Sequence, residues 1–228
     1  MRITDVKLTL FAWDDIPATQ YGQHTGKFAG RSQLGLLTIS TDEGIQGHAF
    51  LGSASRGAQM DGESLIHFLK PIVMGQDPLD RERLYQAMYK RQRMTTLRAI
   101  GAVDIALWDI AGKYAEMPIH RLMGSYRTSC PAYASSAVLP SPEAYAEEAQ
   151  RYKQDGWAAY KIHPPTRWQE DIKVCEAVRK AVGDDYRIML DATWCYQYPE
   201  ALRVGFAVEA LDFYWYEDPL GEEDILNY

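Results

Sequence analysis

Ala158-Ala159-Tyr160-Lys161-Ile162-His163, Arg187-Ile188-Met189-Leu190-Asp191 and Phe213-Tyr214-Trp215-Tyr216-Glu217 are three short apolar runs, each ending in a group that chemistry can use. Helical patterns separate them. Ile172, Cys175, Val178 and Val182 recur at helical spacing before Gly183, and Pro199 to Ala210 fills the second gap. This alternation predicts parallel strands joined by crossover helices, because parallel neighbours need a long connection. In such folds the carboxyl ends of the strands share one face, and ligands bind there. Lys161 and His163 are two apart, so on a strand they point to the same side. With Asp191 and Glu217 at the ends of the next two strands, an amine, an imidazole and two carboxylates are expected to converge.

Outward from this stretch, Ala132 to Val138 has the composition of a preceding strand. Ser141-Pro142 opens a helix with an N-cap serine and a proline at the first helical position, and Gly156 ends it. Thr166 and Gln169 have capping-box spacing. The acidic run after Pro219 predicts a further helix start. Asp218, next to Glu217, is expected to face the other way, and Tyr160, Trp194 and Trp215 are expected to be packing residues.

The first half has a different pattern. Ile3 to Phe11 is β-rich, residues 14–33 carry Gly22, Gly26 and Gly30 and predict a long loop, and Leu34–Ser40 and Ile45–Phe50 flank a hairpin turn at Asp42-Glu43-Gly44. After a second loop over 51–59, helices are expected over 63–73, 78–91 and 95–115. The third carries an apolar stripe of Ala99, Ala102, Val103, Ala106, Leu107 and Ile110. Asp104 and Asp109 lie five apart, do not share a helix face, and predict caps or ion pairs.

A net charge of −7 argues against a nucleic-acid or anionic-membrane surface, which needs a basic patch. No apolar run approaches the ~20 residues of a spanning helix. Residues 1–12 carry Arg2, Asp5 and Lys7 and no cleavage-site pattern, so no signal peptide is expected. Cys130, Cys175 and Cys195 are odd in number and lack CxxC spacing, which predicts reduced thiols and a cytoplasmic protein.

The run Ala99-Ile100-Gly101-Ala102-Val103-Asp104-Ile105-Ala106-Leu107-Trp108-Asp109-Ile110-Ala111-Gly112-Lys113, followed by Pro118 and Leu122-Met123-Gly124, resembles a hallmark of the enolase superfamily. More narrowly, it is similar to the mandelate racemase and muconate lactonizing branch. The 41–45 hairpin, the KxH at 161–163, Leu190-Asp191-Ala192 and Glu217-Asp218-Pro219 match that branch in the same order. The resemblance implies an α+β capping domain over residues 1–128, then a TIM-type (modified β/α) barrel. Residues 129–228 would supply its first four strands.

It also implies one Mg²⁺ held by three carboxylates, of which Asp191 and Glu217 match the first two. By family spacing the third lies roughly another 26 residues on, past Tyr228, with a second catalytic group beyond it. The chain is therefore expected to be part of a longer protein, the missing barrel half being either further chain or a partner. A homo-oligomer is expected as well.

The implied chemistry is abstraction of the proton beside a carboxylate. It builds a second negative charge on the carboxylate oxygens, and a divalent metal offsets that charge. Enolase-superfamily sites pair Mg²⁺ with a Lys or His base. Most of the branch has lysine at both ends of this motif, whereas here the base position is His163. An imidazole serves near neutral pH without the depressed pKa a lysine requires. Lys161 would hold the small carboxylate substrate, and Tyr21, His24 and Arg56 in the capping-domain loops are candidate substrate contacts. The expected activity is an acid-sugar (hydroxy acid) dehydratase, a lyase. A racemase, epimerase or cycloisomerase is the alternative within the superfamily, and a non-catalytic half-barrel fragment is the alternative outside it.

Overall fold

The computed structural model describes residues 1–228, in two compact units: Met1–Pro17 with Ala29–Thr128, and Ala18–Phe28 with Ser129–Tyr228. A single division at 128/129 does not express one feature: residues 18–28, early in the sequence, are part of the second unit.

In the first unit, β1 (Ile3–Thr19), β2 (Phe28–Thr41) and β3 (Gln46–Leu51) form a sheet in that order. β2 and β3 are antiparallel, from Ser40 opposite Gln46 to Gly35 opposite Leu51, and Gly44 at φ 81° supplies the left-handed residue of their turn. The long loop expected over 14–33 is much shorter, because β1 runs on to Thr19 and β2 begins at Phe28. Residues 9–15 of β1 are exposed. The ladder carries both strands on past their apolar residues, through Asp14-Asp15 and Gly30-Arg31-Ser32, where no apolar alternation is left to read.

The apolar segment after the sheet starts earlier than its pattern suggests. It comprises α1 (Ala58–Ser64), a π turn (Leu65–Leu69) and α2 (Lys70–Val73). Pro71 has no N–H for the carbonyl four residues back, and its ring crowds that carbonyl. The widened turn just before it, with Lys70 N–H bonded to Leu65 O, relieves both problems.

α3 (Arg81–Tyr89), α4 (Leu97–Tyr114) and α5 (Ile119–Leu122) follow. Thr96 caps α4, accepting from Ala99 N at 3.1 Å. The small residues of α4 have a physical reason: β3 lies directly on the helix. A Cβ on Gly47 would stand 2.0 Å from the Ala106 carbonyl oxygen. Asp109 pairs with Lys113 (2.6 Å) and accepts from His48 N (2.8 Å), a structural role. Burial raises the Asp104 carboxyl above the usual range, with Glu82 adding to the effect.

In the second unit β4 (Ala134–Ser135), β5 (Ala159–Ile162), β6 (Arg187–Asp191) and β7 (Trp215–Glu217) form a parallel sheet in sequence order. The crossovers are α6 (Pro142–Gln154), α7 (Trp168–Val182) and α8 (Tyr198–Ala210). The capping α+β sheet and these first parallel strands are the fold class the sequence implies. β4 is shorter than the run 132–138. Ser136 N still reaches Lys161 O, but Val138 N turns away to Gln20 O.

Ser141 caps α6 as expected, accepting from Ala144 N. The capping box expected at Thr166 is absent. Thr166 has φ 66°, and its hydroxyl accepts from Gln23 N instead. The box that does form, Gln197 with Glu200, opens α8. No α-helix follows Pro219; only a 3₁₀ turn at Ile225–Asn227 is present. Acidic residues favour a first turn, but Ile225 and Leu226 are exposed at 77% and 97%, so no packing supports a helix here.

Candidate active site

The strand register builds the site. Ser135, Lys161, Met189 and Trp215 are paired in one row across the sheet, and Asp191 is paired with Glu217 in the next row, two residues further along β6 and β7. Residues two apart on a strand share a face, so both rows look the same way. His163 follows Ile162, the last residue of β5.

Asp191 is the hub. Its Oδ2 accepts from Lys161 Nζ at 2.9 Å and faces His163 Nε2 at 3.0 Å, while Oδ1 accepts from Thr193 N at 3.1 Å. Lys161 Nζ also lies 3.1 Å from each oxygen of Glu217. Lys161, His163 and Asp191 are 8%, 8% and 6% exposed, so these charges interact with little solvent between them. Burial alone would raise the Asp191 carboxyl, but hydrogen bonds from His163, in the form whose Nε2 carries a hydrogen, and from Lys161 outweigh it and hold the pKa at about 2. Burial likewise opposes the Lys161 charge, and Asp191 and Glu217 overcome it, so the ammonium stays above its usual range.

His163 is fixed at three points. Its backbone N–H donates to Ser136 Oγ (2.8 Å), its carbonyl accepts from the buried Tyr145 hydroxyl (2.8 Å), and its ring Nδ1 lies 2.7 Å from the Ser136 carbonyl. A carbonyl oxygen can only accept, so Nδ1 carries the hydrogen. Nε2 is then the ring atom that takes up or releases a proton, and Asp191 Oδ2 is placed to accept from it once protonated. The Tyr21 ring packs at 4.8 Å from the imidazole. Tyr21 is held there by its carbonyl, which accepts from Thr193 Oγ1, and Gly22 lies so close that a Cβ would be 2.7 Å from the same hydroxyl.

Of the residues singled out in the sequence, the structure gathers Lys161, His163, Asp191 and Glu217, with Tyr21 beside them. His24 is exposed on the short 3₁₀ turn two residues past Gly22. Arg56 belongs to the first unit. There its guanidinium is bidentate on the fully buried Asp61 (2.7 and 3.1 Å), which also accepts from Thr96 Oγ1.

Asp218 departs from its sequence expectation, and Trp215 adds to its own. Asp218 does not face away: Asp191, Glu217 and Asp218 each offer an oxygen within 4.8 Å of one another. Strand alternation ends at Glu217, and the left-handed backbone of Asp218 (φ 47°) turns its side chain back toward the other two. Trp215 packs on Tyr133 as expected, and its indole N–H also donates to Glu217 Oε2 at 2.9 Å. Its position two before Glu217 was the available signal.

Residues 16–124 match the mandelate racemase/muconate lactonizing enzyme N-terminal domain, and residues 144–228 match the enolase C-terminal domain-like family. The chain belongs to the enolase superfamily. A D-galactarolactone cycloisomerase of Agrobacterium fabrum is 30% identical over 100% of this chain and 61% of its own length. An arabinonate dehydratase of Saccharolobus solfataricus is 31% identical over 80% of this chain and 51% of its own. The crystal structure of D-glucarate dehydratase from Agrobacterium tumefaciens complexed with magnesium superposes with a TM-score of 0.86 at 31% identity, covering 100% of this chain and 63% of that one. The chain thus spans between half and two-thirds of the length of these superfamily members. No helix is long and apolar enough to cross a membrane.

The donor chemistry suits a hard divalent cation. Three carboxylates converge, all oxygen donors of the kind Mg²⁺ and Ca²⁺ prefer. Burial raises the Asp218 carboxyl, with Asp191 and Glu217 adding repulsion. That crowding is what a bound cation relieves.

Proposed function

We propose that this chain carries the proton-abstracting part of a Mg²⁺-dependent site acting on a small carboxylate, most simply an acid sugar, in a dehydration. The observation that supports it best is the tautomer of His163, set by the Ser136 carbonyl so that Nε2 is the basic atom, next to a carboxylate cluster suited to a cation.

Asp191 and Glu217, with Asp218 beside them, would hold Mg²⁺, and bound there the ion would lower the energy of negative charge building on a substrate carboxylate. The chain's own groups move the proton: the one that His163 removes returns to the departing β-hydroxyl, which leaves as water. His163 Nε2 takes the proton from the carbon next to the carboxylate. Asp191 Oδ2, 3.0 Å from Nε2, then accepts from the resulting N–H. Lys161, a fixed cation between two strands, attracts the substrate carboxylate, and Tyr21, with His24 further out, contacts its remaining atoms. The sugar-acid substrate class rests on the relatives, which include dehydratases of arabinonate and of talarate and galactarate.

The test is exchange of the proton beside the carboxylate. In deuterated water with Mg²⁺, a panel of acid sugars should include one whose α-hydrogen exchanges. His163→Asn should slow that exchange by roughly 10²–10⁴-fold. Equal exchange by His163→Asn and the parent protein would remove His163 as the base.

A further inference from the structure

Trp215 has a relation to Glu217 that packing does not require. Trp215 and Glu217 share a face of β7, and the indole N–H points along that face to Glu217 Oε2, 2.9 Å away. The indole is itself held edge-on by the Tyr133 ring, with centroids 5.5 Å apart, and Tyr133 lies 5.6 Å from the Lys161 ammonium. Glu217 has the most exposed side chain of the gathered charges (34%, against 9–10% for Lys161, His163 and Asp191). Its carboxylate meets two donors: the Lys161 ammonium and the Trp215 indole. They are not equivalent. The ammonium neutralises the carboxylate and competes with any cation for it. The indole N–H is neutral, so it fixes the rotamer and leaves the negative charge available. It has no acceptor of its own and cannot exchange roles with the carboxylate.

We propose that Trp215 is a positioning residue. Its indole N–H, braced by Tyr133, holds the Glu217 carboxylate in the orientation from which it binds a divalent cation. The inference rests on the cation reading given under Proposed function and adds to it a residue that ligates nothing itself. Partners that orient a metal ligand in this way typically change affinity 10–100-fold when removed.

The experiment is calorimetric titration with Mg²⁺ alone, on the full 228-residue chain and on Trp215→Phe, which keeps an aromatic ring beside Tyr133 and deletes the N–H with the smaller half of the indole. Tryptophan emission is followed in parallel. The expected result is a 10–100-fold weaker Mg²⁺ site in the variant, together with a Mg²⁺-dependent emission change that the parent shows and the variant lacks. A Trp215→Phe affinity within twofold of the parent overturns the inference and leaves the cation reading intact. No Mg²⁺ binding by the parent overturns the cation reading, and this inference with it. Should Trp215→Phe fail to fold, Tyr133→Leu, which keeps the indole N–H and removes the ring that braces it, is titrated in the same way: a weaker Mg²⁺ site supports the inference, and an affinity within twofold of the parent overturns it.

Discussion

Lys161→Met keeps the unbranched stem, one atom shorter, and removes the charge that Asp191 and Glu217 share. Its Nζ lies 2.9 Å from Asp191 and 3.1 Å from Glu217, with Lys161 and Asp191 both nearly inaccessible to water. Removing one partner of a buried pair costs about 3–5 kcal/mol, because the other charge stays behind. Glu217 is one-third exposed and can rehydrate, so the lower end, about 3 kcal/mol, is expected. At roughly 2–4 °C per kcal/mol for a chain of this size, melting should fall by about 6–12 °C without added metal. Mg²⁺ should act in the opposite direction, since it no longer competes with an ammonium. At about 100 times the variant's Kd it should return roughly 2.7 kcal/mol, nearly the whole loss. The Lys161 pKa is raised by folding. Its stabilisation is therefore complete below the unfolded value near ~10.4 and is lost as pH rises through the higher folded value. The gap between parent and variant should stay constant through neutral pH and close only in strong alkali. Urea and thermal unfolding with and without Mg²⁺ are the assays. A loss under about 1 kcal/mol, or a Mg²⁺ stabilisation no greater in the variant than in the parent, would refute the reasoning.

Asp191→Asn tests the same cluster from the acid side. The folded pKa of about 2 lies below the unfolded value, so its stabilisation exists above ~3.9 and is lost as pH falls toward 2. It amounts to about 2 kcal/mol, and the variant's acid-unfolding curve should lose that much of its slope between pH ~4 and ~2. Arg56→Leu leaves the fully buried Asp61 without its bidentate partner. Unfolding should shift by about 3–5 kcal/mol while Mg²⁺ affinity is unchanged, and a changed affinity with little loss of stability would indicate a ligand contact instead. Tyr145→Phe deletes the hydroxyl that donates to the His163 carbonyl and accepts from Leu139 N. A cost of about 1–3 kcal/mol is expected, with a broadened His163 ring resonance in NMR as the local readout. Gly22→Ala drives a methyl to 2.7 Å from Thr193 Oγ1 and should displace the Tyr21 segment at a cost of about 1–3 kcal/mol, visible as faster amide exchange at Thr193.

What the sequence alone determined is whatever repeats with a period or is punctuated at fixed spacing. The parallel strands ending at Lys161, Asp191 and Glu217 follow from apolar runs separated by helical stripes. The shared face of Lys161 and His163 follows from a spacing of two. Thr41 to Ile45 and Ser141-Pro142 announce a turn and a helix start through local backbone chemistry. The tertiary structure decided what depends on neighbours distant in sequence. β1 and β2 continue past their apolar residues, through Asp14-Asp15 and Gly30-Arg31-Ser32, where the backbone ladder has no apolar pattern to announce it. Thr166 gives up its cap to bond Gln23, far away in the chain. Asp218 leaves the strand alternation because a left-handed backbone angle, invisible in composition, turns its carboxylate toward Asp191 and Glu217. The proton on His163 is fixed at Nδ1 by the Ser136 carbonyl, and only the packed structure brings that backbone oxygen within hydrogen-bonding distance.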